Sequence, residues 1–407
     1  METYFGPEFF KRNREKLRTL FAGTAPIVLT ANGLLQRSGD TTFPFRQDSN
    51  FWYLTGVDDP DVVLVMGKDK EYLILPMRGQ VQEIFDGSIE SKKISKISGI
   101  QTVLDHKTGW NLLTSKLGRV RHVATLAAAP SYIEQSGMYT NPARRILISR
   151  LKKINPNIEL LDLRTHLTHM RMIKQSEELT AIQSAVDISV KALMEVSKKL
   201  SKYTREYQIE TNISNYFGRK GIRHAYQSII ASDEHACTLH YITNNDSLVG
   251  KSLVLIDAGA EIEYYAADIT RTYAIKPPSK RAQAVYAAVI EVQEFAKSYL
   301  KPGVIAKDYE QQVEHFMGEK LRELGLIKSI DKDSVRIFYP HSTSHFLGLD
   351  VHDVGDYSRP LEPNMVLTVE PGIYIPKEGI GIRIEDDILI TPTGNRVLSN
   401  KLPRTLL

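Results

Sequence analysis

A chain of 407 residues that is 42% hydrophobic and 25% charged, with 25 Gly and 18 Pro, has an ordinary globular composition and room for two or three domains. Disordered, fibrous and miniature disulfide-rich folds are excluded. Its 52 basic and 48 acidic side chains leave +4, too small a bias to point to nucleic acid or an anionic membrane as partner.

Cys237, the single cysteine, allows neither an internal disulfide nor a paired-thiol metal motif, which suits a reducing, cytoplasmic setting. No run approaches the ~20 apolar residues of a membrane span. The first residues, studded with Glu8, Lys11, Arg12, Arg14, Glu15 and Lys16, lack the apolar core of a signal peptide.

The first predicted element is an amphipathic helix over 9–21, whose basic cluster from Lys11 to Arg18 reads as a solvated face. Apolar runs at 25–30, 62–66, 72–75 and 122–126 read as strands, so the first 170 residues are expected to form an α/β layered domain. Near residue 171 the pattern changes. Ser176 reads as an N-cap, Glu177 and Glu178 favour the helix dipole, and Leu179, Ile182, Val186, Val190 and Leu193 recur at helical spacing. Further helices are predicted over 279–300, stopped by Lys301-Pro302-Gly303, and over 309–324, ended by Gly325. Strand patterns lie at 252–256, 266–274, 365–370 and 381–390, which makes 171–407 an α+β domain.

Phosphate-binding loops, dinucleotide fingerprints, H-E-x-x-H and G-x-S-x-G are all missing. What remains is acids and histidines at strand ends. The apolar run Leu253-Val254-Leu255-Ile256 delivers Asp257, and Asp268 begins an alternating stretch with Thr270 and Thr272 on its face. If the two strands form a hairpin turning at Ile262-Glu263, Asp257 and Asp268 stand opposite each other, about 5 Å apart, which is costly without a cation between them. His341, His345 and His352 fall within twelve residues. Glu370 ends the run Met365–Val369, and in 381–385 Arg383 and Glu385 face away from Ile382 and Ile384.

Singly, each has a plainer reading: Asp257 as a turn cap, Arg383 and Glu385 as an ion pair, a histidine as a satisfied core group. Together, Asp257, Asp268, His345, Glu370 and Glu385 make an oxygen-rich, thiolate-free set suited to Mn²⁺, with Co²⁺ or Zn²⁺ as alternatives. Four carboxylates exceed the charge of one divalent ion, so two metals bridged by hydroxide, and hence hydrolysis, are expected.

The order Asp, Asp eleven residues on, His341-x-x-x-His345, Glu370-Pro371-Gly372 and Arg383-Ile384-Glu385 resembles the pita-bread metallopeptidases, the family of methionine aminopeptidase, prolidase and aminopeptidase P. Leu239-His240-Tyr241, Gly348-Leu349-Asp350-Val351-His352-Asp353 and the early Arg46-Gln47-Asp48-Ser49-Asn50-Phe51-Trp52-Tyr53-Leu54-Thr55-Gly56 are most similar to its Xaa-Pro aminopeptidase branch, with a creatinase-like N-terminal domain. The resemblance implies a creatinase-like α/β domain over 1–170 and an α+β pita-bread catalytic domain over 171–407. It further implies that Asp257 binds one metal, His345 and Glu370 the other, and Asp268 and Glu385 both. It makes His240, His341 and His352 catalytic groups around the substrate, with Arg383 and Tyr374 near the pocket beyond the scissile bond. Ser342 and Phe346 depart from residues common in the family, which bears on pocket shape. The implied substrates are peptides with proline second, the implied assembly a homodimer or homotetramer. Prolidase and a non-catalytic binding protein are the alternatives.

Overall fold

The computed structural model describes residues 3–128, 133 and 137–406, and divides into two compact units, Met1–Met170 and Arg171–Leu407. In the first unit, helix α1 (Pro7–Phe21) precedes a six-stranded mixed sheet of β1 (Ile27–Thr30), β2 (Val63–Met66), β3 (Glu71–Ile74), β4 (Val103–Leu104), β5 (His122–Thr125) and β6 (Glu159–Asp162), in the order β4-β3-β2-β1-β5-β6. The expected α/β layering is therefore present. Helix α2 (Ser49–Thr55) carries the 46–56 motif: Asp48 caps it by accepting from the amides of Asn50 and Phe51, and Gly56 ends it with φ +66°.

The basic face of α1 is not wholly solvated. Arg14 shares a helical stripe with Phe10, Asn13 and Leu17 and is fully buried. Its guanidinium donates to Leu54 O at 2.8 Å, Ser98 O at 2.9 Å and Glu71 Oε1 at 2.9 Å. Arg14→Met strands two buried carbonyls at ~1–3 kcal/mol each, while Glu71 keeps Arg18 as partner, so a loss of about 3 kcal/mol in the stability of this unit is expected in denaturant titrations.

The second unit begins with α3 (Ser176–Lys198). Its N-cap is Gln175, in a reciprocal capping box with Glu178, and not Ser176 as the sequence pattern suggests. After α4 (Glu206–Gly218) come β7 (Ile229–Ser232), β8 (Leu253–Asp257), β9 (Ala260–Ile262), β10 (Tyr265–Ala266) and β11 (Thr270–Ala274). The long hairpin is real but its register differs from the expected one. Asp257 pairs with Thr270, and Glu263 and Tyr264 form the turn with φ +44° and +72°. Asp268 is thus the diagonal neighbour of Asp257 on the same face. At Gly259 the strands pinch so closely that a Cβ would lie 1.8 Å from Ala267 O.

Helices α5 (Lys280–Tyr299) and α6 (Ala306–Glu323) pack over β12 (Val366–Val369), β13 (Gly372–Ile375), β14 (Ile380–Arg383), β15 (Asp386–Thr391) and β16 (Gly394–Val397) through Val285, Val289, Val292, Tyr309, Val313 and Met317 against Leu367, Val369, Ile373, Ile382 and Ile388. Buried Gln293 on α5 donates to Ile384 O at 3.2 Å and Asp386 Oδ2 at 3.1 Å. Buried Arg271 on β11 donates to Glu385 O at 2.6 Å and Asp386 Oδ1 at 2.6 Å. These bonds fix the backbone on either side of Glu385, so the strand ends present their acids from a rigid frame. Among the described residues no helix is long and apolar enough to cross a membrane.

Candidate metal centre

Asp257, Asp268, His345, Glu370 and Glu385 all border one cavity of about 360 Å³. Ligand atoms of Asp257, Asp268 and Glu385 lie within 4.8 Å of one another, and so do those of His345, Glu370 and Glu385. Asp268 also reaches the second group, with Oδ2 3.5 Å from His345 Nε2, and His345 Nε2 stands 3.4 Å from Glu370 Oε1. Asp257 ends β8, Glu370 follows β12, and Glu385 sits in the break between β14 and β15.

The surrounding bonds aim each group. Tyr226 donates its hydroxyl toward Asp257 Oδ1 at 2.5 Å and Asp268 Oδ1 at 2.6 Å. Thr270 donates to Glu385 Oε2 at 2.6 Å. His345 Nδ1 faces Phe346 O at 3.0 Å; with the proton on Nδ1, Nε2 is left toward the carboxylates as a metal ligand requires. Arg383 pairs with Asp257 Oδ2 at 2.6 Å and donates to Tyr374 Oη at 3.0 Å, and that hydroxyl meets His341 Nε2 at 2.8 Å. The ion pair of Arg383 is therefore with Asp257, not with Glu385. Tyr374 stands behind the cavity wall, whereas His240, His341, His352 and Arg383 line the cavity. The ring of His352 lies 4.2 Å from that of His345.

Charge decides whether these residues suit cations. Arg383 is the one Lys or Arg side chain paired with any of the four acids among the described residues. Burial pushes Asp257, Glu370 and Glu385 above the usual carboxylate range, with repulsion from Asp268 added. Asp268 alone is held low, because His345 and Tyr226 outweigh its burial. Burial lowers His341, to about 3, and His352, and it opposes His345 too, yet Asp268 and Glu370 hold His345 up at about 9. A set of hard oxygens and one imidazole, with more acid than its own cations offset, fits divalent ions. A separate group, Glu234, His235 and Asp246, already holds the Lys251 ammonium at 2.7 Å and 3.1 Å from its two acids.

Two cavity neighbours lie outside the sequence reading. Tyr226, bonded to both aspartates, carries no motif or periodicity that marks it. Glu310 of α6 accepts from the amides of Thr343 and Ser344 at 2.8 Å each, and burial pushes it up to about 7.

Residues 180–392 match the sequence profile of metallopeptidase family M24, and residues 10–124 that of the aminopeptidase P N-terminal domain. Xaa-Pro aminopeptidase of Escherichia coli (strain K12) is 32% identical over 96% of this chain and 94% of its own length. Among solved structures, aminopeptidase P from E. coli with the inhibitor Pro-Leu matches at 31% identity and TM-score 0.84, covering 98% of this chain and 96% of that one. The Pseudomonas aeruginosa aminopeptidase PepP matches at 29% identity and TM-score 0.85, covering 99% and 96%. The expected fold, a creatinase-like α/β domain followed by an α+β pita-bread domain, agrees with these matches. With Asp257, Asp268, His345, Glu370 and Glu385 inside the peptidase profile and most of the first unit covered by the other, the chain belongs to metallopeptidase family M24 and carries the aminopeptidase P N-terminal domain.

Proposed function

We propose that this metallopeptidase is an Xaa-Pro aminopeptidase, hydrolysing the first bond of peptides whose second residue is proline. The observation that carries this reading is the pair of side-chain triads, Asp257-Asp268-Glu385 and His345-Glu370-Glu385, sharing Glu385 at one cavity. Asp257 would hold one cation, His345 and Glu370 the other, and Asp268 and Glu385 both. Bound there, two divalent ions, Mn²⁺ by preference and Co²⁺ or Zn²⁺ by availability, supply a hydroxide near neutral pH and polarise the scissile carbonyl.

The chain's own residues supply the rest. Glu370, pushed up by burial and open to the cavity, is suited to pass a proton to the leaving imide nitrogen, which proline leaves without an N–H. His352, which burial keeps neutral, and His240 border the same space and can donate to the developing oxyanion. Arg383, with Tyr374 behind it and His341 beside it on the lining, gives that wall a fixed cation for the carbonyl or carboxylate end of the substrate. A free α-amine on the substrate would coordinate a metal or pair with one of these carboxylates, which would select aminopeptidase over endopeptidase action.

The test is a Mn²⁺-reconstituted assay on an Xaa-Pro-Xaa peptide, its N-acetylated form and an Xaa-Pro dipeptide. Cleavage of the free peptide with the acetylated form at least about 100-fold slower is expected. Cleavage of the dipeptide alone would make the chain a prolidase, and cleavage of none would leave it a binding protein. The reading includes a cytoplasmic setting, in keeping with one cysteine, and a homodimer or homotetramer, to be read from sedimentation.

A further inference from the structure

Residues 341–345 carry two of the cavity's histidines yet form no helix or strand, so their backbone groups need partners elsewhere. The β12 side supplies several. Glu370 N donates to Thr343 O at 2.9 Å, Thr368 N to His345 O at 3.0 Å, and His345 N to Thr368 Oγ1 at 3.1 Å. The amides of Thr343 and Ser344 turn the other way, and both residues are buried. One carboxylate takes both: Glu310 accepts Thr343 N on Oε2 and Ser344 N on Oε1, each at 2.8 Å.

Glu310 is well placed to act as a fixed clamp. It lies near the start of α6, and the preceding Tyr309 shares a 2.9 Å hydrogen bond with Ser344 Oγ. The entry to α6 is tied down in turn, since Gly303 N donates to Leu361 O at 2.8 Å and Leu361 N to Val304 O at 2.7 Å. A carboxylate is the side chain that offers two equivalent acceptors to consecutive amides; glutamine offers one acceptor and turns its own N–H groups on the second amide.

We propose that Glu310 is a positioning residue for the centre: its grip on Thr343 and Ser344 sets how His341 and His345 leave the backbone, and through His345 the geometry shared with Glu370 and Glu385. The inference rests on the metallopeptidase reading above and concerns alignment, not contact with reacting atoms. Losing the clamp leaves two buried amides unsatisfied beside His345, so the segment shifts to find water or new acceptors.

The experiment compares wild type with Glu310→Ala and the near-isosteric Glu310→Gln by three measurements. These are the ¹⁵N-imidazole spectrum of metal-free protein, Mn²⁺ affinity by calorimetry, and kcat and KM on an Xaa-Pro-Xaa peptide. Both variants are expected to displace the His341 and His345 signals and to weaken Mn²⁺ binding about 10-fold or more. The kcat is expected to drop about 10-fold or more with KM within about threefold. Unmoved histidine signals with wild-type Mn²⁺ affinity would overturn the proposal, and so would a rise in KM at constant kcat, which would make Glu310 a substrate contact. Should the alanine variant not fold, the glutamine variant decides by the same readings. If wild type itself cleaves no Xaa-Pro peptide, the functional reading fails, and the spectra and Mn²⁺ affinity still decide the role of Glu310.

Discussion

Asp268→Ala is expected to cut turnover of an Xaa-Pro peptide by about 10³-fold or more and to leave the protein folded. Asp268, like Glu385, reaches both side-chain groups at the cavity: Tyr226 joins it to Asp257 on one side, and His345 stands 3.5 Å away on the other. Without it the two groups share Glu385 alone, and a pair of cations loses one bridge. The folding effect is small because two contributions oppose each other. Deletion removes hydrogen bonds with Tyr226 and His345, worth roughly 1 kcal/mol each, but also removes the ionised charge that repels Asp257, Glu370 and Glu385. The backbone anchor survives, since Asp268 N donates to Asp387 Oδ2 at 3.1 Å whatever the side chain. The checks are kcat, metal content of the purified variant, and the Tm of the metal-free form. Near-normal kcat with two bound Mn²⁺ would remove Asp268 from the bridging role.

The convergence of four acids and His345 on one cavity was legible because their chemistry violates the local pattern. An apolar run that ends in an acid, as at Asp257 and Glu370, sets a carboxylate where desolvation is costly, and the residue type alone demands a partner. What was not legible depends on approaches between distant segments. Glu310 reads as one more charge on an amphipathic helix, and its role exists only because residues 343 and 344 fold back onto it. Tyr226 follows Arg223-His224-Ala225, a stretch with no apolar period, and only the hairpin brings both aspartates to its hydroxyl. The hairpin register was missed by one residue at the turn because Glu263-Tyr264 adopts positive φ without the Asn or Gly that usually signals it. Arg14 differs, because its place is legible: its spacing from Phe10 and Leu17 puts it on the buried stripe, and its charge is met there by carbonyls and Glu71 instead of solvent.

Stripping divalent ions with a chelator is expected to abolish turnover, Mn²⁺ to restore it, and the restoration to carry protons with it. In the metal-free protein Glu370 and Glu385 are raised by burial, and His345 is held up at about 9 by Asp268 and Glu370 against its own burial. Glu370, pushed up to about 8, and His345 therefore retain protons near pH 7 that they must lose to act as ligands. Binding then releases protons, so affinity for Mn²⁺ rises with pH until these groups ionise unaided. Stability of the metal-free protein runs the opposite way. A group whose folded pKa exceeds its unfolded value binds more protons when folded, so stability falls as pH rises, here from pH 7 through about 9. Saturating Mn²⁺ counteracts this, adding ~2.7 kcal/mol at a free concentration 100 times Kd. Calorimetry in two buffers of different ionisation enthalpy counts the protons, and thermal melts at pH 7 and 9, with and without Mn²⁺, give the slopes. A metal-free Tm that climbs from pH 7 to 9, or Mn²⁺ uptake without proton release, would mean that the acids are already ionised and paired, and that the charge argument for two cations is wrong.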